Sequence, residues 1–319
     1  MDRKDAAAKK LAMKKPYNDY NSYLRARYGT KVYKIGLDAG FSCPNRDGAL
    51  GRDGCIYCND LGSRSSYTDP AKSVAEQLSS RINYLRKNFS AEKFIAYFQA
   101  FTNTHGPVKR LKEIYDSILP FEDIVELSIG TRPDCVDEEK LDLISGYKNR
   151  YEVWIEYGLQ SIRNDSLNFL ERKHTLEDFI SAVKLSKSRG IKVCAHIILG
   201  LPGESPEDAV KTAQTLSDLH IEGVKIHLLH VLKGSRLEKL YRDGKLRLLD
   251  QKEYINSVCL ALENLSPYIV IQRLTGEGDR ENHIAPSWAL DKTGTIKMIE
   301  AELVKRGTHQ GERALNTIS

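Results

Sequence analysis

Seven apolar runs separated by amphipathic stretches set the tightest limit on the fold of this 319-residue chain. The runs are residues 31–39, 93–100, 123–130, 151–158, 191–199, 223–231 and 268–275. Each is rich in β-branched or aromatic residues and short enough for one strand. Helical patterns lie between them, over 71–88, 107–119, 137–146, 175–189, 206–219 and 251–265. In the first, Val74, Leu78, Ile82 and Leu85 recur every three or four residues and form one apolar face. Start signals agree: Asp69-Pro70, Thr175-Leu176-Glu177 and Ser205-Pro206-Glu207-Asp208 have the chemistry of N-caps with acidic first turns, and Gly190 marks a stop. Strands that alternate with helices call for a parallel sheet covered by those helices, because parallel neighbours need a long crossover.

Two closures satisfy that pattern, a doubly wound sheet and a (β/α) barrel. Polar residues decide between them. Cys43 follows the first run. Gln99, Thr102 and Asn103 end the second, and Thr131, Arg132 and Asp134 follow the third. Glu156, Gln160 and Ser161 close the fourth. The fifth carries His196 and runs into Gly200-Leu201-Pro202-Gly203-Glu204. The sixth bears His227 and His230 ahead of Lys233, and Arg273 and Thr275 end the seventh. Polar groups at the C-terminal end of every strand describe a barrel mouth, whereas a doubly wound sheet concentrates them at one switch point. The expected fold is α/β: a partial (β/α)6-type, TIM-like barrel over residues 31–275, with a basic N-terminal arm over 1–30 and a C-terminal extension over 276–319 whose tail is polar and frayed.

Three of the six cysteines stand in CPNRDGALGRDGCIYC, as Cys43, Cys55 and Cys58. No apolar run approaches the roughly 20 residues of a membrane helix, and the N-terminus lacks the apolar stretch of a signal peptide. The expected compartment is therefore the cytoplasm, with no membrane partner, and there grouped thiols point to metal or catalysis before disulfides. A structural zinc site uses four ligands and an electron-transfer [4Fe–4S] cluster four cysteines. Three thiols on one loop would leave one iron of a cubane without a protein ligand, and an open coordination site is a catalytic one. Cys194 and Cys259 lie in apolar patterns and read as buried inert thiols; Cys135, at a strand end, has no assigned role.

Three cysteines on the loop after the first strand of a (β/α) barrel resemble the radical S-adenosylmethionine (radical SAM) superfamily. Together with EYGLQS, ERKHT, HIILGLPGE and LHVLKGS, in order and at strand ends, they resemble its Elp3-like branch and a small bacterial group that includes YtqA and YhcC. The likeness spans residues 17–300. The eleven-residue first gap departs from the commoner three-residue one. The resemblance implies that Cys43, Cys55 and Cys58 bind a [4Fe–4S] cluster whose free iron takes S-adenosylmethionine, with reductive cleavage giving methionine and a 5′-deoxyadenosyl radical. It implies SAM contacts from Glu156, Gln160, Ser161, Arg172, His196 and Gly200, with Lys233 near adenine or substrate. A Gly-Gly-Glu turn common in the family is absent at Tyr97–Asn103, where Gln99 is the substitute. A reductant such as flavodoxin or ferredoxin is implied as partner. His227 and His230, three apart in a strand, point to opposite faces and form no metal pair.

Charge bears on the substrate. The net charge is +5, yet residues 1–34 hold ten basic against three acidic residues, so the remainder is slightly acidic. A basic arm interleaved with Tyr17, Tyr20, Tyr23 and Tyr28 suits phosphate contact and base stacking. The Elp3-like resemblance implies tRNA as partner and wobble-uridine side-chain modification, in maturation of the carboxymethylaminomethyl group, as the reaction. Two alternatives stand beside it: a radical SAM enzyme for a small molecule or protein, and a zinc-stabilised RNA-binding protein without catalysis.

Overall fold

The computed structural model describes residues 15–314 apart from Leu61, Ser63, Ser66 and residues 277–279. Helix α1 (Tyr20–Tyr28) precedes strand β1 (Val32–Leu37). Then α2 (Val74–Phe89), β2 (Lys93–Phe98), α3 (Val108–Asp116), β3 (Ile124–Thr131), α4 (Glu138–Ser145) and β4 (Glu152–Gln160) alternate. Helices α5 (Asn164–Phe169) and α6 (Leu176–Ser188) lead to β5 (Lys192–Leu199), and α7 (Pro206–Asp218) to β6 (Gly223–Leu228). A short β7 (Val231–Leu232), α8 (Arg236–Arg242) and α9 (Gln251–Asn264) precede β8 (Val270–Arg273), and β9 (His283–Ala285) and α10 (Lys292–Arg306) close the chain. Seven strands form one parallel sheet in the order β1-β2-β3-β4-β5-β6-β8, and β7 pairs antiparallel with β9. The sheet runs in sequence order from one edge to the other, as a partial barrel requires; a doubly wound sheet would reverse at a switch point.

Strand parity explains both faces. Leu127, Ile129, Val153, Ile155, Tyr157, Val193, Ala195, Val224 and Ile226 belong to the core between sheet and helices. The alternate residues of the same strands are Glu126, Ser128, Glu152, Trp154, Glu156, Cys194, His196, Lys225 and His227, on the concave side. Each fully buried aliphatic side chain contributes about 1.5–3 kcal/mol, so a one-residue slip, which would exchange the two faces, is strongly disfavoured. Helix starts are fixed by capping boxes at Thr175/Asp178, Ser205/Asp208 and Asp250/Glu253. The second helix starts at Val74, four residues after the expected Asp69-Pro70: Ser73 and Glu76 satisfy the first turn, while the Asp69 carboxylate accepts from the Ala71 amide.

The arm does not behave as its composition suggests. Residues 1–14, which hold most of its lysines, lie outside the described residues, but all four tyrosines are committed to the protein. Tyr20 donates to Glu126, Tyr23 to Glu152 at 2.5 Å, Tyr28 to the Val125 carbonyl at 3.2 Å and Tyr17 to Glu300 at 2.8 Å. Tyr20 and Tyr23 meet Trp154 edge-on. Helix α1 is thus the floor of the barrel, seated on carboxylates at the starts of β3 and β4, and its rings are not free for base stacking. The open edges are covered too. Ile271 of β8 donates to the Asn18 carbonyl, and Gly36 of β1 donates to the Tyr67 hydroxyl at 2.8 Å.

The polar tail is anchored through Ala314. Gln310 is buried, donates to the Ser266 and Ile269 carbonyls and accepts from the Asn18 amide, and Gly311 donates to Leu262. Residues 315–319 lie outside the described residues. Among the described residues no helix is long and apolar enough to cross a membrane.

Candidate active site

The long gap between Cys43 and Cys55 folds onto itself. The Gly54 amide donates to the Asn45 carbonyl at 2.8 Å, Leu50 and Gly51 donate to the Pro44 carbonyl, and Gly48 donates to Gly51. Residues 46–53 are therefore an excursion closed at its base. Without it, only Pro44, Asn45 and Gly54 separate the cysteines, the three-residue gap from which the sequence appeared to depart. Arg46 pins the excursion by donating to the Asn59 carbonyl at 2.7 Å, and Lys173 by donating to the Leu50 carbonyl at 2.7 Å. The Cys55–Cys58 knuckle is anchored by Ile56, whose amide donates to Leu170 and whose carbonyl accepts from Leu237.

All six cysteines are free thiols. Cys58 feels both of the other loop cysteines. Burial pushes Cys58 up, Arg46 draws it back, and the Cys55 and Cys43 sulfurs add to the rise. Burial also opposes ionisation of Cys55, but the Arg172 guanidinium and the Asn45 amide outweigh it and hold the thiol below its ordinary value. Arg172 is buried. Its Nη1 lies 3.4 Å from Cys55 Sγ and 3.3 Å from the Tyr57 hydroxyl, and its Nη2 donates to the Gly158 carbonyl at 2.8 Å. Its Nε has no partner among the described residues. Arg132 braces it by donating to the Arg172 carbonyl and to Asp134. Gly158 keeps space here: a Cβ would meet Gln160 Nε2 at 2.7 Å and Arg172 Nη2 at 3.0 Å. Three thiols backed by two buried guanidiniums, with Gly158 leaving room for the Gln160 and Arg172 side chains, fit a thiolate-bound cubane with one open vertex.

A second cluster lies deeper. Glu156 is fully buried on β4; His196 Nε2 lies 2.8 Å from it, Lys34 lies at 3.4 Å, and Lys225 forms a close ion pair. Burial alone would raise the Glu156 carboxyl, but Lys225, then Lys34 and His196, hold it well below the usual carboxylate range. Tyr97 accepts from Lys225 at 3.2 Å. Burial and then Lys225 push His196 down to about 4, so it is neutral at pH 7. Glu156, Cys194 and His196 offer ligand atoms within 4.8 Å of one another. Lys34 and Lys225 already occupy that carboxylate, so the cluster is an ion-pair network rather than a cation site.

The expected site residues therefore separate. Gln160 and Arg172 stand with the cysteines, and Glu156 and His196 form the deeper cluster. Gln99 bonds Ser65 at the mouth. Ser161 donates to Glu204 and accepts from the Arg163 amide, which ties down the Gly200–Glu204 turn. Gly200 has φ +88°, and a Cβ there would meet Leu249 at 3.0 Å, so packing and backbone conformation account for that glycine. Lys233 is exposed, with its amide donating to the Asn282 carbonyl. The His227 ring on β6 lies 5.4 Å from that of His196, and His230, two residues beyond the end of β6 and so outside the strand expected for it, lies 5.8 Å from His283. Sequence reasoning missed Lys34 and Lys225. Each is a lysine inside an apolar strand, in phase with inward neighbours, and that parity was the available signal.

With this geometry in place, the chain is identified as a member of the radical SAM superfamily, whose model matches residues 43–216; the Radical_SAM C-terminal domain model matches 221–305. Enzymes of this superfamily use a [4Fe–4S] cluster and S-adenosylmethionine, which sets aside the zinc alternative. YtqA of Bacillus subtilis is 39% identical, covering 93% of this chain and 92% of its own length. Protein MJ0486 of Methanocaldococcus jannaschii is 42% identical with the same shares. A tRNA uridine(34) acetyltransferase of M. jannaschii is 30% identical over 47% of this chain and 28% of its own length. Among solved structures, the archaeal Elp3 of Methanocaldococcus infernus superposes with a TM-score of 0.66 at 20% identity, covering 88% of this chain and 64% of that one.

Proposed function

We propose that this chain is a radical SAM enzyme acting on the wobble uridine of tRNA, in the step that converts a carboxymethylaminomethyl side chain toward aminomethyluridine. The observation that carries the radical chemistry is the closed excursion, which returns three free thiols to short-gap spacing beside a buried arginine. Cys43, Cys55 and Cys58 would hold three irons of the cluster, and Gln160 and Arg172 would face the methionine end of S-adenosylmethionine. When bound, these groups supply reductive cleavage of the sulfonium to methionine and a 5′-deoxyadenosyl radical. The protein's own contribution is placement and shielding. Arg172 and Arg132 balance thiolate charge in a dry site, where an uncompensated charge is costly. The Glu156–Lys225–His196 network fixes the inner wall, and helix α1 closes the floor, so a reactive carbon is kept from water.

The substrate assignment rests on likeness to a tRNA uridine(34) acetyltransferase and to the Elp3 fold. Its test compares modified nucleosides in tRNA from cells with and without this gene. The expected result is accumulation of carboxymethylaminomethyluridine and loss of its aminomethyl descendants in the deletion. An unchanged nucleoside profile would contradict the assignment.

A further inference from the structure

A strip of alternating rings and cations runs along α2 beside the β1 edge that Tyr67 covers. Arg81 lies 4.0 Å from the centroid of the Tyr67 ring and 4.7 Å from that of Tyr84. Tyr84 lies 6.2 Å from Phe89, Phe89 lies 6.0 Å from Tyr33, and the Lys31 ammonium sits 4.3 Å over Tyr33. The order Tyr67–Arg81–Tyr84–Phe89–Tyr33–Lys31 is thus continuous. Three of its rings are unusually open for aromatic side chains: Tyr67 is 44% exposed, Tyr84 47% and Phe89 52%. Exposed apolar surface gathered in one place marks an interaction site.

Two further observations narrow the ligand. A cavity of about 190 Å³ opens at the Tyr67 end, lined by Tyr67, Arg81 and Tyr84 with Thr68, Asp69, Lys72, Gln77 and Ser80, so one carboxylate faces two cations there. The cavity volume is below the roughly 300 Å³ at which small-molecule pockets begin, and suits a single planar ring. The Arg81 Nε is buried and has no partner among the described residues. The charge on α2 is positive, with Arg81, Arg86 and Lys87 against Glu76. Of these Arg86 is paired with Asp123. Half-exposed rings, with cations against them and a ring-sized recess at one end, match the chemistry of a single-stranded nucleic acid: bases stack on the exposed ring surface and phosphates meet the cations.

We infer that this strip is an RNA-binding platform that holds unpaired nucleotides along α2, with one base in the recess lined by Tyr67, Arg81 and Tyr84. The inference rests on the tRNA reading above and moves the RNA contact from the tyrosines of α1, which are used in the barrel floor, to α2. It involves no residue of the cysteine site or of the Glu156 network.

The test measures binding of a transcribed tRNA to the full chain, as wild type and as Tyr84→Ala, Phe89→Ala and Tyr84→Phe, with deoxyadenosine release in the absence of RNA as a control. Alanine variants at the exposed rings are expected to weaken binding about ten-fold each, the scale of one lost base–ring stack. Tyr84→Phe keeps the ring and is expected to retain wild-type affinity, and RNA-free deoxyadenosine release is expected to be unchanged in all three. If wild type binds tRNA and the alanine variants bind as tightly, the strip is no RNA platform and is left to a protein partner. If wild type itself shows no affinity for tRNA, the tRNA reading falls and this inference with it.

Discussion

Burial lowers Lys225 to about 7 against the pull of Glu156, so at pH 6 replacing it by methionine removes an ammonium at the centre of the barrel and keeps most of the side-chain volume. The side chains of Lys225 and Glu156 are 3% and 0% exposed, so neither charge is compensated by solvent. Methionine would leave the Glu156 carboxylate with Lys34 at 3.4 Å, 27% exposed, and with a neutral His196. Breaking a buried ion pair by removing one partner costs about 3–5 kcal/mol, because the survivor is left without its counter-charge. Lys34 stays close, which sets the expected loss near the lower bound, about 3 kcal/mol. Adding Glu156→Gln removes the stranded charge, so the double variant is expected to be more stable than Lys225→Met alone, with a coupling energy of about 2 kcal/mol. Urea denaturation under anaerobic conditions, followed by far-ultraviolet circular dichroism and tryptophan fluorescence, reads these differences if the m-values agree. A loss below about 1 kcal/mol for Lys225→Met, or strict additivity in the double variant, would refute the ion-pair account of the barrel centre.

Other outcomes follow from the floor and the cysteine loop. Burial pushes Glu126 from 4.5 up to about 7, against Lys34, Ser128 and Tyr20, which pull it down. Its raised affinity for a proton favours the folded state fully below pH 4.5 and is lost as pH rises through 7. Stability should therefore fall by about 3 kcal/mol across that window, and Glu126→Gln should flatten the fall in a pH series of urea melts. Deleting residues 46–53 and joining Asn45 to Gly54 should leave iron and sulfide content at the wild-type level, since the excursion closes on itself at that junction; loss of iron would show that the excursion shapes the thiol site.

The alternation of runs gave the parallel sheet and its sequential order, because each strand's outer face is apolar and each crossover helix carries a matching stripe. The three thiols were also legible, but their geometry was not. The spacing reads as eleven residues, and only the Gly54–Asn45 hydrogen bond shows it to be three plus a closed loop. Glu156 was legible as a polar residue at a strand end, but its partners were not. Lys225 and Lys34 escaped notice because a lysine in an apolar strand looks like an edge charge until the sheet curls and turns it inward. The tyrosines of α1 misled for the opposite reason. Composition shows aromatic rings among cations, yet the hydroxyls of Tyr20 and Tyr23 find Glu126 and Glu152, more than a hundred residues away. No local pattern encodes that contact. Lys233 and Ser161 were carried by motif position alone; Lys233 is exposed, and Ser161 after β4 bonds Glu204 of the Gly200–Glu204 turn.

The central claim is that Cys43, Cys55 and Cys58 share one cubane whose remaining iron is open to S-adenosylmethionine. Iron, sulfide and deoxyadenosine measured on the same anaerobic preparations, wild type and Cys55→Ala, test it most directly. The account predicts about four irons and four sulfides per wild-type chain and deoxyadenosine on reduction with S-adenosylmethionine, with both lost in Cys55→Ala while circular dichroism shows an intact fold. A Cys55→Ala protein that keeps its iron and still releases deoxyadenosine would contradict it.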